Sequence, residues 1–217
     1  MNIEKDVPFL GHTKIDYDEC CAKLILEELF PDRYTDLVLD DKPDIQGDGV
    51  GIEVTIADEE KNQEATKNWL KARSSKDERV RAYSIERMKQ LGVEYVGGIQ
   101  LWPTLPVTFD LTKKAIEKKI NKLRSGKYKY FPRYELFVFT DTWYEERVVA
   151  EARKNLFAES VSRYYQTVYV LSQGYNLQIF ETKSGEYKNL VIDTVEQSNR
   201  NERAWQMVVE AEKMECK

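Results

Sequence analysis

The stretch "KPDIQGDGVGIEVTIA" (residues 42–57) carries the strongest fold signal in the chain. Two apolar runs flank "GDG", whose glycines permit the positive backbone torsions of a tight hairpin, so two antiparallel strands are predicted here. Alternate strand residues point to opposite faces of a sheet. One face of the second strand consists of Val50, Ile52, Val54 and Ile56, and the other of Gly51, Glu53, Thr55 and Ala57. The first face is expected to be core, and the second places a carboxylate among small residues.

An acid inside an apolar strand needs a partner, because burying an unpaired carboxylate is strongly unfavourable. A metal ion is one such partner for Glu53. Asp44 lies nine residues earlier, across the predicted hairpin, so antiparallel pairing can bring both carboxylates to one magnesium ion. The sequence therefore predicts a two-carboxylate site.

The order of predicted elements is helix, strands, helices, strand, helix, strand. A first helix spans residues 16–30, two tandem helices span 58–91, and a strong helix begins with Asp110 as its N-cap. The single strand 93–102 and one helix over 145–164 are further expectations. This order predicts an α/β sandwich with helices packed on a central mixed sheet. We expect one domain over 1–217, with 58–91 a helical insertion and 194–217 a C-terminal helix.

Pro43 and Asp44, followed by a hairpin and the acid of "GIEVT", resemble the PD-(D/E)XK nuclease superfamily, the restriction-endonuclease-like fold. The resemblance implies a three-layer sandwich in which Asp44 and Glu53 hold magnesium, or manganese in its place. In that family the metal activates water for attack on a phosphodiester. Glu19 in the first helix stands where some members contribute a further acidic ligand.

Thr55 departs from the family pattern, which has a lysine two residues after the strand acid. A hydroxyl can assist by hydrogen bonding but cannot supply the positive charge. Some family members supply the ammonium from a neighbouring helix. At about 100° per residue, Lys119 falls roughly 60° from Ile116 in the apolar stripe of the helix that follows Asp110, which makes it the first candidate. The other candidates are Lys113, Lys122 and Lys67.

The segment 113–133 forms a basic stripe on an acidic protein. It contains nine basic residues and one acidic residue, whereas the whole chain has a formal net charge of −5. Bulk electrostatics therefore do not favour nucleic-acid binding, but this local stripe does. The sequence "YKYFPRY" (residues 128–134) mixes aromatic and basic side chains that can bind a nucleic-acid backbone or a splayed base. Nucleic acid, with DNA expected, is the predicted partner.

Several other classes of protein lack support in the sequence. No apolar run approaches the length of about 20 residues that a bilayer span needs, and residues 1–14 lack a signal-peptide pattern, so a cytoplasmic protein is expected. The cysteines Cys20, Cys21 and Cys216 suit neither disulfides nor zinc. His12 is the single histidine, which disfavours a histidine-ligated zinc enzyme. Phosphate loops and serine-hydrolase elbows have no matching motif.

Two functions follow from the resemblance. The first is a magnesium-dependent nuclease acting on DNA, of the kind found in phage, mobile elements or restriction and repair systems, with a homodimer as one assembly. The alternative is a catalytically inactive nuclease-like fold that serves as a protein- or nucleic-acid-binding regulatory module, for which Thr55 is the main argument. A third interpretation, an unrelated α/β protein, predicts that Asp44 and Glu53 lie more than about 8 Å apart.

Overall fold

The computed structural model describes residues 16–47, 49–75, 77–96, 99–101, 107–126, 128–142, 144–172 and 175–215. These residues divide into two compact units, one containing residues 58–101 and the other containing 16–57 and 107–215. The predicted helical insertion 58–91 belongs to the first unit. The single-domain interpretation stays a prediction. The sequence arguments on His12, Lys127 and Cys216 concern positions outside the described residues.

The helices and strands follow one another in a mixed α/β order. In chain order they are α1 (Tyr17–Leu29), β1 (Val38–Leu39), β2 (Ile45–Gly47), β3 (Val50–Ala57), α2 (Glu60–Ser74), α3 (Glu78–Gln90), β4 (Glu94–Val96), β5 (Ile99–Leu101), α4 (Asp110–Arg124), β6 (Arg133–Thr140), α5 (Glu146–Leu156), α6 (Glu159–Ser162), β7 (Thr167–Ser172), β8 (Asn176–Glu181), β9 (Glu186–Val191) and α7 (Thr194–Glu215). None of the described helices is long and apolar enough to cross a bilayer.

The larger unit is built on a seven-stranded sheet with the strand order β1-β2-β3-β6-β7-β8-β9. The central strands β3, β6 and β7 are parallel, and the outer strands pair antiparallel. Apolar residues of α1 pack on one face of this sheet, and those of α4 and α5 pack on the other. The predicted α/β fold with helices on a central mixed sheet is confirmed at this level.

The decisive hairpin forms as predicted. Strands β2 and β3 pair antiparallel, with Gly47 opposite Val50 and Ile45 opposite Ile52. Val50, Ile52 and Val54 are buried in the core beneath α1. The expectation that Ile56 joins them is wrong, because the apolar cluster on that face ends at Val54 and Ile56 is 46% exposed.

The opposite face of β3 is also covered, since Ala57 lies in the apolar cluster with Ile116 and Ile120 of α4. Parallel strands with helices on both faces are buried on both sides. Glu53 therefore points into the interior between β3 and α4, with 1% of its surface exposed.

Several predicted element boundaries shift. Asp16 caps α1 in a reciprocal capping box with Glu19, whereas Asp110 is the first residue of α4 and the buried Phe109 precedes it at the N-cap. The predicted helix over 145–164 is divided into α5 and α6. The predicted strand over 93–102 is instead the antiparallel pair β4 and β5, in a sheet of its own.

The remaining helices have separate packing roles. In the smaller unit α2 and α3 pack together around Ala65, Ala72 and Met88, and their division near residue 75 agrees with the predicted tandem helices. In the larger unit α7 packs against α1, where Tyr17 and Trp205 meet edge to face with 6.1 Å between ring centroids. The C-terminal helix therefore covers the helical layer of its own unit.

Candidate functional site

Lys119 on α4 joins the two carboxylates that the hairpin brings together. Its Nζ donates to Glu53 Oε2 at 2.6 Å and to Asp44 Oδ2 at 2.9 Å. The two oxygens cannot be further apart than the sum of these distances. This sum is well below the separation of about 8 Å beyond which two carboxylates cannot share one ion. The interpretation based on a distant pair is therefore wrong. We call these three residues the acid–lysine site.

Each member of the acid–lysine site is positioned by a simple local rule. Asp44 immediately precedes β2, and its Oδ2 accepts a hydrogen bond from the backbone N–H of Val54 at 2.7 Å, which fixes the carboxylate against β3. Glu53 faces α4 because strand side chains alternate. Lys119 lies at the border of the apolar stripe formed by Ile116 and Ile120, where a long side chain can reach sideways from the core.

The site is largely removed from water. The side chain of Lys119 is 11% exposed and that of Glu53 is 1% exposed. Burial acts to lower the pKa of the Lys119 ammonium, but the charges of Glu53 and Asp44 outweigh it and the pKa is raised. Burial raises the pKa of Glu53, and Lys119 and the hydroxyl of Tyr128 only partly offset this effect. The ammonium is therefore firmly charged, whereas Glu53 still lacks full stabilisation of its anion.

One oxygen of Glu53 is left without a partner. Glu53 Oε1 is buried and accepts no hydrogen bond from any residue that the structure describes, while all the contacts of Asp44 described above use Oδ2. An unsatisfied buried carboxylate oxygen is unfavourable unless a donor or cation meets it. Among the described residues no group of three or more His, Cys, Asp or Glu side chains can hold a metal ion. Two carboxylates completed by water still fit magnesium, which commonly keeps several waters.

Glu135, a second buried acid in a strand, has hydrogen-bond partners on both of its carboxylate oxygens. Glu135 on β6 is completely buried, and its Oε1 accepts from Arg33 Nη2 at 2.6 Å while its Oε2 accepts from the hydroxyl of Tyr34. Glu135 pairs in register with Ile52, so it points to the α1 face, away from Glu53. Glu135 thus has the contacts of a structural acid on both oxygens, and Glu53 does not.

Glu19 and Thr55 are placed near the site without joining its contacts. Glu19 Oε2 accepts from the backbone N–H of Asp16 at 3.2 Å. Burial raises the pKa of Glu19 to about 7, and the charges of Asp44 and Lys119 lie close enough to act on it. Its role as a metal ligand stays a prediction. Thr55 is half-buried on the face of β3 that carries Glu53, and within the described residues its hydroxyl makes no hydrogen bond to the acid–lysine site.

The alternative lysines are directed elsewhere. Lys113 and Lys122 are exposed on α4, and Lys67 is exposed on α2 in the smaller unit. Of the four lysines considered, all within described segments, Lys119 is the one whose ammonium contacts a site carboxylate. The helical phase relative to Ile116 therefore selected the lysine that reaches the acids.

Tyr128 is a site residue that the sequence argument did not assign. Its hydroxyl donates to Glu53 Oε2 at 3.2 Å from the loop that follows α4. Tyr128 lies in the sequence "YKYFPRY", whose aromatic and basic side chains predict nucleic-acid contact but not a hydrogen bond to Glu53. Side-chain contacts from a loop depend on its conformation, and alternation or helical phase does not predict that conformation.

The loop that carries Tyr128 is held against the turn that carries Asp44. The backbone N–H of Lys129 donates to the carbonyl of Lys42 at 3.2 Å. A Cβ atom on Gly51 would lie 2.5 Å from Pro43 Cγ and 2.9 Å from Phe131 Cδ2. Gly51 therefore allows the turn and the loop to meet over β3, two residues before Glu53.

One cavity of the larger unit lies away from the acid–lysine site. It has a volume of about 540 Å³ and opens on the other flank of α4, where Lys113, Glu117 and Arg124 line it together with residues of α5 and α6. At 100° per residue these side chains lie on the opposite side of the apolar stripe from Lys119. The chemistry of the acid–lysine site is therefore independent of this cavity.

Comparison of the chain with family models, with curated proteins and with solved structures finds no match.

Proposed function

We propose that this protein is a magnesium-dependent nuclease with a restriction-endonuclease-like fold, and that Asp44, Glu53 and Lys119 form its catalytic site. The observation that carries the proposal is the contact of one buried ammonium with both predicted metal-binding carboxylates. Burying charges is unfavourable unless each is fully paired or is retained for function, and Glu53 keeps one buried oxygen that has no partner among the described residues.

The surrounding topology supports the same assignment. Asp44 immediately precedes β2, Glu53 lies within β3, and α4 directly precedes β6, the parallel neighbour of β3. This arrangement resembles the core of the PD-(D/E)XK superfamily. Lys119 brings to the acids the charge that Thr55 lacks, so the departure at position 55 has a structural compensation.

Two groups would hold a divalent cation: the unpartnered oxygen of Glu53 and the carboxylate of Asp44. When bound, such a cation would neutralise charge on the scissile phosphate and lower the pKa of a coordinated water. Lys119 would provide a fixed positive charge beside the same phosphate, since its pKa is raised and it stays protonated at neutral pH. Tyr128 would orient Glu53 through its hydrogen bond.

The nucleic-acid contact is proposed to lie on the exposed part of the basic segment 113–133. Its described members that are exposed are Lys113, Lys114, Lys118, Lys122, Arg124 and Lys129. Phosphate contacts of such side chains position a nucleic acid without reading its sequence. DNA is the proposed substrate.

Cleavage of labelled DNA with Mg²⁺ or Mn²⁺ tests this function. We expect activity in the wild type and a loss of at least about 100-fold in Asp44→Asn, Glu53→Gln and Lys119→Met, because removing one group that stabilises transition-state charge has an effect of this size. Lys154→Met, at an exposed position of α5 outside the basic segment, is the matched control and should retain cleavage. Activity that survives all three substitutions, or a wild type inert with both metals, would contradict the proposal.

An inactive regulatory module is the second candidate, favoured by the observation that Lys119 already serves as a cation for both acids. A protein of this kind would bind a partner and would have no need of a metal. Titration calorimetry separates the two functions. Metal binding in the wild type that is abolished by Asp44→Ala and by Glu53→Ala supports the nuclease, whereas the absence of binding at millimolar metal, with and without DNA, supports the module.

A further inference from the structure

The segment 128–131, which we call the aromatic loop, is fixed to Glu53 of the acid–lysine site and to the turn and strands beside it. Tyr128 donates to Glu53. The backbone of Lys129 donates to the carbonyl of Lys42, and its Nζ donates to Gln46 Oε1 at 3.1 Å. Phe131 is buried over Gly51. The loop is therefore held in one place beside the catalytic carboxylates.

Tyr130 lies between these anchors and is not buried by them. It is 82% exposed, which is the highest value for any large hydrophobic side chain among the described residues. Its ring contributes little to the core, although both neighbouring residues are tethered. A rigid loop that presents an aromatic face to solvent resembles the platforms on which bases stack.

Positively charged side chains lie on the aromatic loop and on the exposed side of α4. Lys129 is exposed next to Tyr130. On α4, Lys122 and Lys118 lie roughly 60° and 100° further round the helix from Lys119, toward solvent, and both are exposed. A backbone that passes the acid–lysine site therefore meets cations on α4 and an aromatic ring on the aromatic loop.

We propose that Tyr130 stacks an unpaired nucleobase, so that the substrate is a single-stranded or frayed nucleic acid. This rests on the proposed function for the chemistry at Glu53, but the stacking itself does not require cleavage. A base can stack on a side chain only when its face is free, and a duplex hides its base faces. The net charge of −5 limits what phosphate contacts alone can supply, and stacking adds affinity that does not depend on charge.

Binding measured by fluorescence anisotropy in metal-free buffer tests the proposal without any chemistry. The probes are a labelled single strand of about 12 nucleotides, a length within the range of such platforms, and the duplex of the same sequence. We expect tighter binding of the single strand. Tyr130→Ala should weaken it by about tenfold, and Tyr130→Trp should restore it, because a larger ring still stacks.

Tyr83→Ala is the matched control, since Tyr83 is a second exposed tyrosine, at 69%, outside the aromatic loop. It should bind like the wild type. Equal binding of the single strand by Tyr130→Ala and the wild type would overturn the proposal, as would a preference for the duplex or no binding of either probe. Stacking-dependent binding without cleavage in Mg²⁺ or Mn²⁺ would count against the nuclease alone. Duplex cleavage that is insensitive to Tyr130→Ala would count against stacking alone.

Discussion

The ammonium of Lys119 lies 2.6 Å from Glu53 Oε2 and so joins α4 to the centre of β3 through a buried ion pair. Removing one partner of such a pair leaves an uncompensated charge in the interior, which is more damaging than replacing both partners. The pair therefore contributes to stability as well as to the chemistry proposed for the site.

Lys119→Met should lower the free energy of unfolding by about 3 kcal/mol at neutral pH, because Glu53 and Asp44 lose their shared cation. The loss should shrink as the pH falls, since protonation of Glu53 removes the buried charge. Urea unfolding at several pH values measures both effects. Lys118→Met, at an exposed position, should change stability by less than about 0.5 kcal/mol. Equal stability of Lys119→Met and the wild type would show that the ion pair is not stabilising.

The same substitution should have opposite effects on metal binding and on cleavage. Lys119 places a positive charge between the two carboxylates, so a divalent cation must compete with it. Removing the ammonium should therefore tighten Mg²⁺ binding by roughly tenfold, while cleavage is lost. Calorimetry and a cleavage assay on the same preparation measure the two quantities. Unchanged metal affinity in Lys119→Met would mean that the cation and the ammonium do not share the site. The control Lys154→Met, at an exposed position of α5, should alter neither quantity.

Protein stability should fall as the pH rises from about 4 to about 7, because of the acids at the start of α1. Burial raises the pKa of Asp18 from 3.8 to about 7, with the charges of Asp16 and Asp141 adding to the effect. The folded protein therefore holds a proton in this window that the unfolded chain releases, and a raised pKa of this kind stabilises at low pH and is lost as the pH rises.

Asp18→Asn should remove about half of this slope, because the pKa of Glu19 beside it is also raised to about 7. The substitution should stabilise the protein at pH 8 by about 1 kcal/mol, a discounted value because the carboxylate is partly solvated. Thermal unfolding across this pH range is the measurement. Glu78→Gln is the control, since Glu78 also lies in the first turn of a helix and is exposed. It should not stabilise. An Asp18→Asn variant with the wild-type pH profile would show that this carboxylate titrates normally.

Local rules predicted the parts of the site that depend on local geometry. Asp44 and Glu53 meet through a hairpin, and Lys119 was selected by helical phase although it lies 66 residues from Glu53. Tyr128 was not assigned, because its contact depends on how the aromatic loop docks. Glu135 in "YELFVFT" is, like Glu53, an acid inside an apolar strand. Its structural role was not predicted, because its partner Arg33 lies 102 residues away in the chain. The exposure of Ile56 was missed because alternation does not predict where the covering layer ends.

Gly51→Ala should impair the site through packing. The new Cβ would meet Pro43 and Phe131 at distances shorter than real contacts allow, so the Asp44 turn or the aromatic loop must move. We expect a loss of about 1–3 kcal/mol of stability, typical of overpacking, together with weaker metal binding.

Gly126→Ala is the control for the glycine change itself. Gly126 has φ +72° and open space around it, so an alanine there should cost about 1 kcal/mol through backbone strain and leave metal binding intact. Both variants can be compared by urea unfolding and calorimetry. Normal metal affinity in Gly51→Ala would show that the close approach over β3 does not position Asp44.

Arg33→Met tests whether the buried acids Glu135 and Glu53 act independently. Arg33 Nη1 and Nη2 bind Glu181 and Glu135, each at 2.6 Å, so its removal should destabilise the fold by about 3 kcal/mol. Glu135 faces α1 while Glu53 faces α4, and the intervening sheet separates their contacts. Mg²⁺ affinity measured at a temperature where the variant is folded should therefore match the wild type, since the unpartnered oxygen of Glu53 is untouched. A variant that is destabilised and also loses metal would mean that the two acids are coupled through the sheet and that Glu53 is not an independent site.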